Sequence, residues 1–161
     1  MKIRIGAGYD IHRLVKGRKL ILGGVEISHH SGLLGHSDAD VLTHAISDAI
    51  LGALGLPNIG EIFPDTEIWT ENMESKTILL YARNKLEELS YTISNLDAVI
   101  IAQEPKLSPH IEKMRLSISS TLGMAVGDVG LKAVTNERIG EIGHGDAIAA
   151  MANALILFAG P

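Results

Sequence analysis

The side chains with the clearest chemical potential stand near the start of the chain, in the segment GAGYDIHRL. Asp10 and His12 are two residues apart and follow an alternating Ile3/Ile5 pattern that predicts a β-strand. Residues i and i+2 of a strand point to the same face of its sheet. A carboxylate and an imidazole are therefore expected side by side, either as a local ion pair or as part of a metal site.

A second polar group lies on a predicted helix, where Asp40, His44 and Asp48 recur every four residues beside an apolar face. Such a stripe alone favours a solvated acidic helix face. Asp10, His12 and His44 together, however, offer two imidazoles and one carboxylate, which with an open fourth position form the ligand set of a catalytic zinc site. Either Asp40 or Asp48 could orient the His44 ring from one turn away.

Two further segments have the residue types that contact phosphate. His36 and Ser37 precede the same helix, and backbone N–H groups at a helix N-terminus favour anions, although a turn residue is the alternative for His36. The segment KAVTNE holds Lys132, Thr135 and Glu137 where a predicted strand ends. These three suit a phosphate and a harder cation such as Mg²⁺, and an ordinary solvated strand end explains them equally well.

Apolar periodicity and capping signals predict the elements that position these residues. Ser37 and Ser108 are the expected helix N-caps. Strands are predicted at 2–8, 19–27 (one strand, or a hairpin broken by Gly23-Gly24), 94–102 and 129–135; helices at 36–56, 75–90 and 108–123; a loop at 58–73; and either a helix or a strand at 146–159. We therefore predict one α+β domain, 1–161, with a mixed β-sheet covered by helices on one face.

The composition excludes several classes of function. The chain has no cysteine, so a metal must be held by histidine and carboxylate side chains. Its net charge of −5, without a basic tract, argues against nucleic-acid binding. No apolar run reaches the roughly 18 residues that span a bilayer, and the N-terminus lacks the pattern of a signal peptide. We expect a cytoplasmic protein that binds neither nucleic acid nor membrane.

The motifs, taken in order, resemble those of one enzyme family. GYDIHRL, GLLGHSDADVLTHAISDAILGA, IGEIFPD, AQEPKLSPHI and KAVTNERIG occur in the order seen in the 2-C-methyl-D-erythritol 2,4-cyclodiphosphate synthase family of the non-mevalonate isoprenoid pathway. The resemblance extends from about Ile3 to Phe158. It implies a phosphorus–oxygen lyase that converts a small diphosphocytidyl substrate, 4-diphosphocytidyl-2-C-methyl-D-erythritol 2-phosphate, to the cyclic diphosphate with release of CMP.

The resemblance also implies roles for individual residues. Asp10, His12 and His44 would ligate Zn²⁺ or another divalent transition metal, and Glu137 would ligate Mg²⁺ or Mn²⁺. His36 and Thr135 would act as catalytic residues. The implied substrate contacts are Ser37, Asn58, Ile59, Gly60, Phe63, Asp65, Ala102, Lys106, Leu107, Ser108, Lys132, Val134 and Asn136. Among the segments of the resemblance, Ala102–Ser108 and Val134–Glu137 correspond to the pocket for the cytidine nucleotide.

Further expectations from the resemblance concern assembly and setting. Members of the family are homotrimers with active sites between subunits. In these proteins the segment that corresponds to the ambiguous 146–159 is a β-strand. The lack of a transit peptide favours a bacterial source.

Two other functions fit the same three metal ligands. One is a zinc-dependent phosphohydrolase that uses water as its nucleophile, and the other is a non-catalytic trimer stabilised by zinc.

Overall fold

A computed structural model describes residues 2–160, so the first and last residues of the predicted domain, Met1 and Pro161, lie outside the described residues. The strands are β1 (Ile3–Lys16), β2 (Leu20–Leu22), β3 (Val25–Ile27), β4 (Ser31–Leu33), β5 (Tyr91–Ile101), β6 (Val129–Val134) and β7 (Ala147–Phe158). The helices are α1 (Val41–Leu54), α2 (Ile59–Ile62), α3 (Ser75–Glu88), α4 (Ile111–Leu122) and α5 (Gly140–His144). Short 3₁₀ turns span Ile68–Thr70, Ser108–His110 and Val126–Asp128.

Five strands form a mixed sheet in the order β4-β1-β7-β5-β6, and β2 pairs with β3 in a separate hairpin. In this sheet β5 and β6 pair in parallel, whereas β1–β4, β1–β7 and β5–β7 are antiparallel pairs. The fold is therefore α+β with a mixed sheet. The ambiguous last segment is the central strand β7, because hydrogen bonds to β1 and β5 on its two edges outweigh the helix propensity of its alanines.

Helix α1 packs directly on β1 and β7, and two glycines of β1 permit the close approach. A Cβ at Gly6 would lie 1.9 Å from the carbonyl oxygen of Ala49, and a Cβ at Gly8 would lie 2.0 Å from that of Ala45. Only glycine leaves room for the helix backbone at such a distance. This contact puts the residues of α1 around position 44 beside the middle of β1, where Asp10 lies.

Some local predictions are wrong. Strand β1 extends to Lys16, well beyond residue 8, because β4 and β7 continue to pair with it. Helix α1 is capped by Asp40, whose side chain accepts from the Thr43 N–H, so Ser37 is not the N-cap. Ser108 begins a 3₁₀ turn and makes no capping hydrogen bond. The predicted loop 58–73 contains α2 and a 3₁₀ turn.

The face of the sheet opposite α1 carries exposed apolar side chains. Ile3, Ile5, Tyr9 and Ile11 alternate along β1, and Met151 stands beside them on β7. Their register places them on one continuous surface, since Tyr9 pairs directly with Met151. Among the described residues, no helix has the length and apolar character that crossing a membrane requires.

Candidate metal centre and substrate cavities

Asp10 of β1, His12 of β1 and His44 of α1 converge at one point, as their spacing predicts. The Asp10 Oδ2 atom lies 3.2 Å from His12 Nε2 and 2.9 Å from His44 Nδ1. The three side chains come from only two elements, and the i, i+2 spacing on β1 supplies two of them. His44 is buried and the other two are partly exposed, so the cluster opens toward solvent on one side.

In each imidazole of the cluster, the ring nitrogen that faces away from Asp10 makes a hydrogen bond to another residue. His12 Nδ1 lies 2.7 Å from the carbonyl oxygen of Leu34, and because a carbonyl only accepts, this nitrogen carries the hydrogen. His44 Nε2 lies 2.8 Å from Ser75 Oγ. His12 Nε2 and His44 Nδ1 therefore face Asp10, the arrangement in which outer hydrogen bonds orient the ligands of a metal.

This donor set fits a divalent transition metal. Two imidazole nitrogens and one carboxylate oxygen suit Zn²⁺, and three protein ligands leave a coordination position for a substrate oxygen. A structural zinc site would normally be closed by a fourth protein ligand. Within residues 2–160 the cluster contains no cysteine or other soft ligand, so hard and borderline cations are the ones it selects.

The cluster also shifts the pKa values of its members. Burial alone would raise the pKa of Asp10, but hydrogen bonds and charge interactions with His12 and His44 outweigh burial and hold that pKa well below its usual range. Burial lowers the pKa of His12, and the hydrogen bond and charge of Asp10 raise it by more, so the net shift is upward. In the metal-free protein, these shifts favour a negatively charged Asp10 beside a protonated His12.

Metal affinity is expected to depend on pH because His12 must lose a proton before it can bind a cation. Its pKa in the folded protein lies above the ordinary value of 6.5, so protonated His12 stabilises the metal-free fold fully below about pH 6.5 and progressively less as the pH rises through the raised pKa. Zn²⁺ binding at pH 7 should release a proton, and affinity should fall as the pH is lowered. Calorimetry in two buffers of different ionisation enthalpy measures this release, and binding without it would contradict the assignment of His12.

The side chains of Asp10, His12 and His44 line one end of a cavity of about 340 Å³. Six further residues of the predicted site line this cavity. Besides the three cluster residues, the predicted residues that line it are His36, Ser37, Ile59, Gly60, Phe63 and Asp65. Gly35, Thr70, Met73 and Ile78 complete the lining, and sequence reasoning did not identify them. The cavity therefore combines a cation-binding group with both polar and apolar walls.

Asp40 and Asp48, the two candidates for orienting His44, make their hydrogen bonds elsewhere. Asp40 is fully buried and accepts from the backbone of Gly23, Gly24 and Thr43 and from the Thr43 hydroxyl. Asp48 accepts from the Ile59 N–H. The predicted orienting role is therefore wrong for both. Asp40 also caps α1 by accepting from the Thr43 N–H, so this donor of the helix N-terminus is not available to a phosphate.

A second cavity, of about 360 Å³, collects most of the residues predicted to bind the nucleotide. It lies between the segment after β5 and the end of β6, which are adjacent because these two strands pair in parallel. The predicted residues that line it are Ala102, Lys106, Leu107, Ser108, Val134 and Thr135. Its lining residues all differ from those of the first cavity. Within one chain, the predicted site is thus divided between two places.

The remaining predicted site residues have side chains that are engaged in local hydrogen bonds. Asn58 caps α2, accepting from the Glu61 N–H at 3.1 Å. Lys132 lies 2.5 Å from a carboxylate oxygen of Asp97 on β5. Asn136 donates to the Ile139 carbonyl at 2.7 Å. Asn58, Lys132 and Asn136 would reach a substrate only by exchanging these partners.

Thr135 and Glu137 contact each other just after β6. The Thr135 hydroxyl donates to Glu137 Oε1 at 2.7 Å, and Glu137 has a positive φ of 49°. A non-glycine residue in this left-handed region costs free energy and is found disproportionately at functional sites. The exposed Glu137 carboxylate offers one ligand, which fits Mg²⁺ because that ion commonly takes one or two carboxylates and completes its shell with phosphate oxygens and water.

A family model, curated relatives and solved structures all relate this chain to one enzyme family. A family model described as the YgbB family matches residues 3–157. The 2-C-methyl-D-erythritol 2,4-cyclodiphosphate synthase of Alkaliphilus metalliredigens is 55% identical over 150 residues, covering 93% of this chain and 94% of the relative. The solved structure of the bifunctional IspDF from Campylobacter jejuni aligns with a TM-score of 0.94 and 38% identity over 98% of this chain, which spans only 42% of that protein.

A second solved structure, IspF of Plasmodium falciparum in complex with CDP, aligns with a TM-score of 0.87 and 38% identity. This alignment covers 98% of the chain and 97% of the relative. Sequence and fold therefore agree over nearly the full length of both proteins. The chain belongs to the YgbB family, the family of the 2-C-methyl-D-erythritol 2,4-cyclodiphosphate synthases.

Proposed function

We propose that this protein converts 4-diphosphocytidyl-2-C-methyl-D-erythritol 2-phosphate to 2-C-methyl-D-erythritol 2,4-cyclodiphosphate and CMP by metal-assisted intramolecular phosphoryl transfer. The observation that carries the proposal is the convergence of Asp10, His12 and His44 at the opening of a cavity that His36 and Ser37 also line. The names of the curated relatives support the same reaction. Their bacterial sources further support action in a bacterial cytoplasm.

In the proposed reaction an oxygen of the 2-phosphate attacks the β-phosphorus of the diphosphate in the same molecule. The bond from the β-phosphorus to the bridging oxygen breaks, and CMP leaves with that oxygen. Because a phosphate monoester is already ionised at pH 7, no side chain has to act as a general base. Holding the two ends together is worth up to roughly 7–11 kcal/mol of the barrier in well-oriented intramolecular reactions.

The two reacting groups are both anions, and the protein has a net charge of −5, so local positive charge is needed. Asp10, His12 and His44 would hold Zn²⁺, and Glu137 would hold Mg²⁺. When bound, these cations would polarise the phosphate oxygens and neutralise charge on the leaving group. His36, Ser37 and Thr135 would contact the phosphates, and Lys106 would add positive charge at the nucleotide cavity.

We further propose that the chain acts as a homotrimer with active sites between subunits. The division of the predicted residues between two cavities of one chain supports this proposal, because a neighbouring subunit could bring the nucleotide cavity to the metal cluster. The exposed apolar face formed by β1 and β7 supports it as well, since a continuous surface of this kind favours burial against another chain. The CDP bound in the Plasmodium falciparum relative supports a cytidine nucleotide as ligand.

Ile5→Glu is expected to break the assembly, because it places a carboxylate within the apolar face, where Ile5 is 71% exposed. Light scattering during size-exclusion chromatography should give about three times the 17.2 kDa chain mass for the wild type and one chain mass for the variant. Leu116→Glu, which alters a 51% exposed leucine on α4, should leave the wild-type mass unchanged. A wild-type protein of one chain mass would contradict the proposed trimer.

The product identifies the reaction. Purified protein with Zn²⁺ and Mg²⁺ should convert the substrate to CMP and a cyclic diphosphate, which mass spectrometry distinguishes from a linear product because the cyclic one is lighter by one water molecule. A linear product would instead indicate the zinc phosphohydrolase. If no substrate is consumed while metal removal dissociates the subunits, the non-catalytic trimer stabilised by zinc becomes the better account.

A further inference from the structure

We propose that Asp38 and Ser75 are positioning residues that hold the His44 ring with its Nδ1 atom directed at the metal position. This inference rests on the proposed metal-assisted function, and it assigns a purpose to two residues that do not themselves contact the substrate cavity. Ser75 is the first residue of α3 and is fully buried, and Asp38 lies in the segment before α1. Together they connect the start of one helix to a metal ligand on another.

Three contacts define the connection. Ser75 Oγ lies 2.8 Å from His44 Nε2. The same hydroxyl oxygen makes a short contact with Asp38 Oδ1, and the other carboxylate oxygen of Asp38 accepts from the Ser75 N–H at 3.0 Å. The backbone of Asp38 is fixed in turn, because its N–H donates to the Met73 carbonyl at 3.1 Å. The Asp38 carboxylate thus accepts hydrogen bonds from both the N–H and the hydroxyl of Ser75.

The direction of the hydrogen bonds follows from what each group can do. An ionised carboxylate only accepts, so the single hydroxyl hydrogen of Ser75 is directed to Asp38. Ser75 Oγ must then accept, and His44 Nε2 must carry the hydrogen it accepts. A cation would therefore bind at His44 Nδ1 in place of a hydrogen on that nitrogen, which in the metal-free protein is hydrogen-bonded to Asp10 Oδ2 at 2.9 Å. Asp38 therefore determines, through Ser75, which nitrogen of His44 binds metal.

Asp38 lies beside the start of α3, and Ser75 is the main partner of the His44 Nε2 atom. Asp38 sits at the N-terminus of α3, where the helix dipole and free N–H groups stabilise negative charge. The preceding residue, Glu74, provides no side-chain cap to this helix, so the role passes to Asp38. The Ser37 hydroxyl also approaches His44 Nε2, but at 3.5 Å it is at the limit of a hydrogen bond.

Ser75→Ala should raise the Zn²⁺ dissociation constant by about 10- to 100-fold, the usual effect of removing a partner that orients a metal ligand. Competition with a chromogenic chelator measures this constant without substrate or turnover. Ser75→Thr keeps the hydroxyl and should restore most of the affinity. Ser47→Ala is the matched control, because Ser47 is also fully buried but donates to the Thr43 carbonyl within α1; its affinity should equal that of the wild type.

Proton NMR of the Zn²⁺-loaded protein gives a second readout, independent of affinity. The wild type and Ser75→Thr should show a slowly exchanging His44 Nε2–H resonance, and Ser75→Ala should lose it. Asp38→Asn should weaken Zn²⁺ binding as well, because an amide can donate to Ser75 Oγ and turn the hydroxyl hydrogen toward His44. This variant keeps the test decisive if Ser75→Ala does not fold.

The outcomes separate this inference from the proposed function. Wild-type affinity and a retained Nε2–H resonance in Ser75→Ala would overturn the positioning role while leaving the metal site intact. A wild-type protein that binds no Zn²⁺ would overturn both.

Discussion

Asp10→Asn is expected to raise the Zn²⁺ dissociation constant at least about 100-fold and to remove turnover with it. Loss of a partner that merely orients a ligand costs about 10- to 100-fold in affinity, and the loss of a direct ligand should cost more. Asp10 Oδ2 is the one atom that both imidazoles approach, at 3.2 and 2.9 Å. Replacing the carboxylate by an amide of the same shape removes its negative charge without opening a cavity.

The variant also tests whether the metal, and not the fold, is responsible for activity. Chelator competition measures affinity, and circular dichroism confirms that Asp10→Asn is folded. Asp128→Asn is a suitable control because this exposed carboxylate follows α4 and lines neither of the two cavities described above. Turnover by Asp10→Asn at the wild-type rate, with metal bound as tightly, would show that the cluster is not the catalytic metal centre.

Gly8→Ala is expected to destabilise the protein by about 3 kcal/mol or more, the upper end of the usual cost of overpacking a core. Its new Cβ would lie 2.0 Å from the carbonyl oxygen of Ala45 and 2.8 Å from the backbone nitrogen of Ala49. Both atoms belong to the α1 backbone, which cannot rotate out of the way as a side chain can. The helix must move off β1, and His44 moves with it.

Thermal unfolding followed by circular dichroism measures this effect. For a domain of this size, about 3 kcal/mol corresponds to a fall in Tm of roughly 6–12 °C. Gly127→Ala is the matched control, because a Cβ there meets no atom within 4 Å, and its Tm should remain close to that of the wild type. If Gly8→Ala has the same Tm as the wild type, α1 does not pack on β1 as closely as the structure shows.

The convergence of Asp10, His12 and His44 was predictable from sequence because its signal is local and periodic. Asp10 and His12 share a face through the two-residue period of a strand, and His44 stands beside an apolar helix face. The contact between the strand and the helix required only that the apolar face of α1 pack on the sheet. Periodicity alone did not decide β7, since its alanines satisfy both a helix and a strand.

The partners of the cluster were not predictable in the same way. Ser75 reaches His44 across 31 positions of sequence, and nothing in a serine at the start of a helix distinguishes it from an ordinary capping residue. The prediction for Asp40 was wrong because its spacing from His44 suits a contact between the two side chains along one helix. Asp40 is instead the N-cap of α1, and its carboxylate accepts hydrogen bonds from backbone N–H groups. Such contacts follow from tertiary packing, which the sequence pattern does not encode locally.

Turnover in H₂¹⁸O, followed by ³¹P NMR, is the most direct test of the central claim that the substrate cyclises on itself. Attack by the substrate's own phosphate brings in no oxygen from water, so the product resonances should be those of a cyclic diphosphate and of CMP without an isotope shift. An ¹⁸O-shifted resonance from a linear phosphate product would mean that water is the nucleophile, and it would contradict the proposed cyclisation.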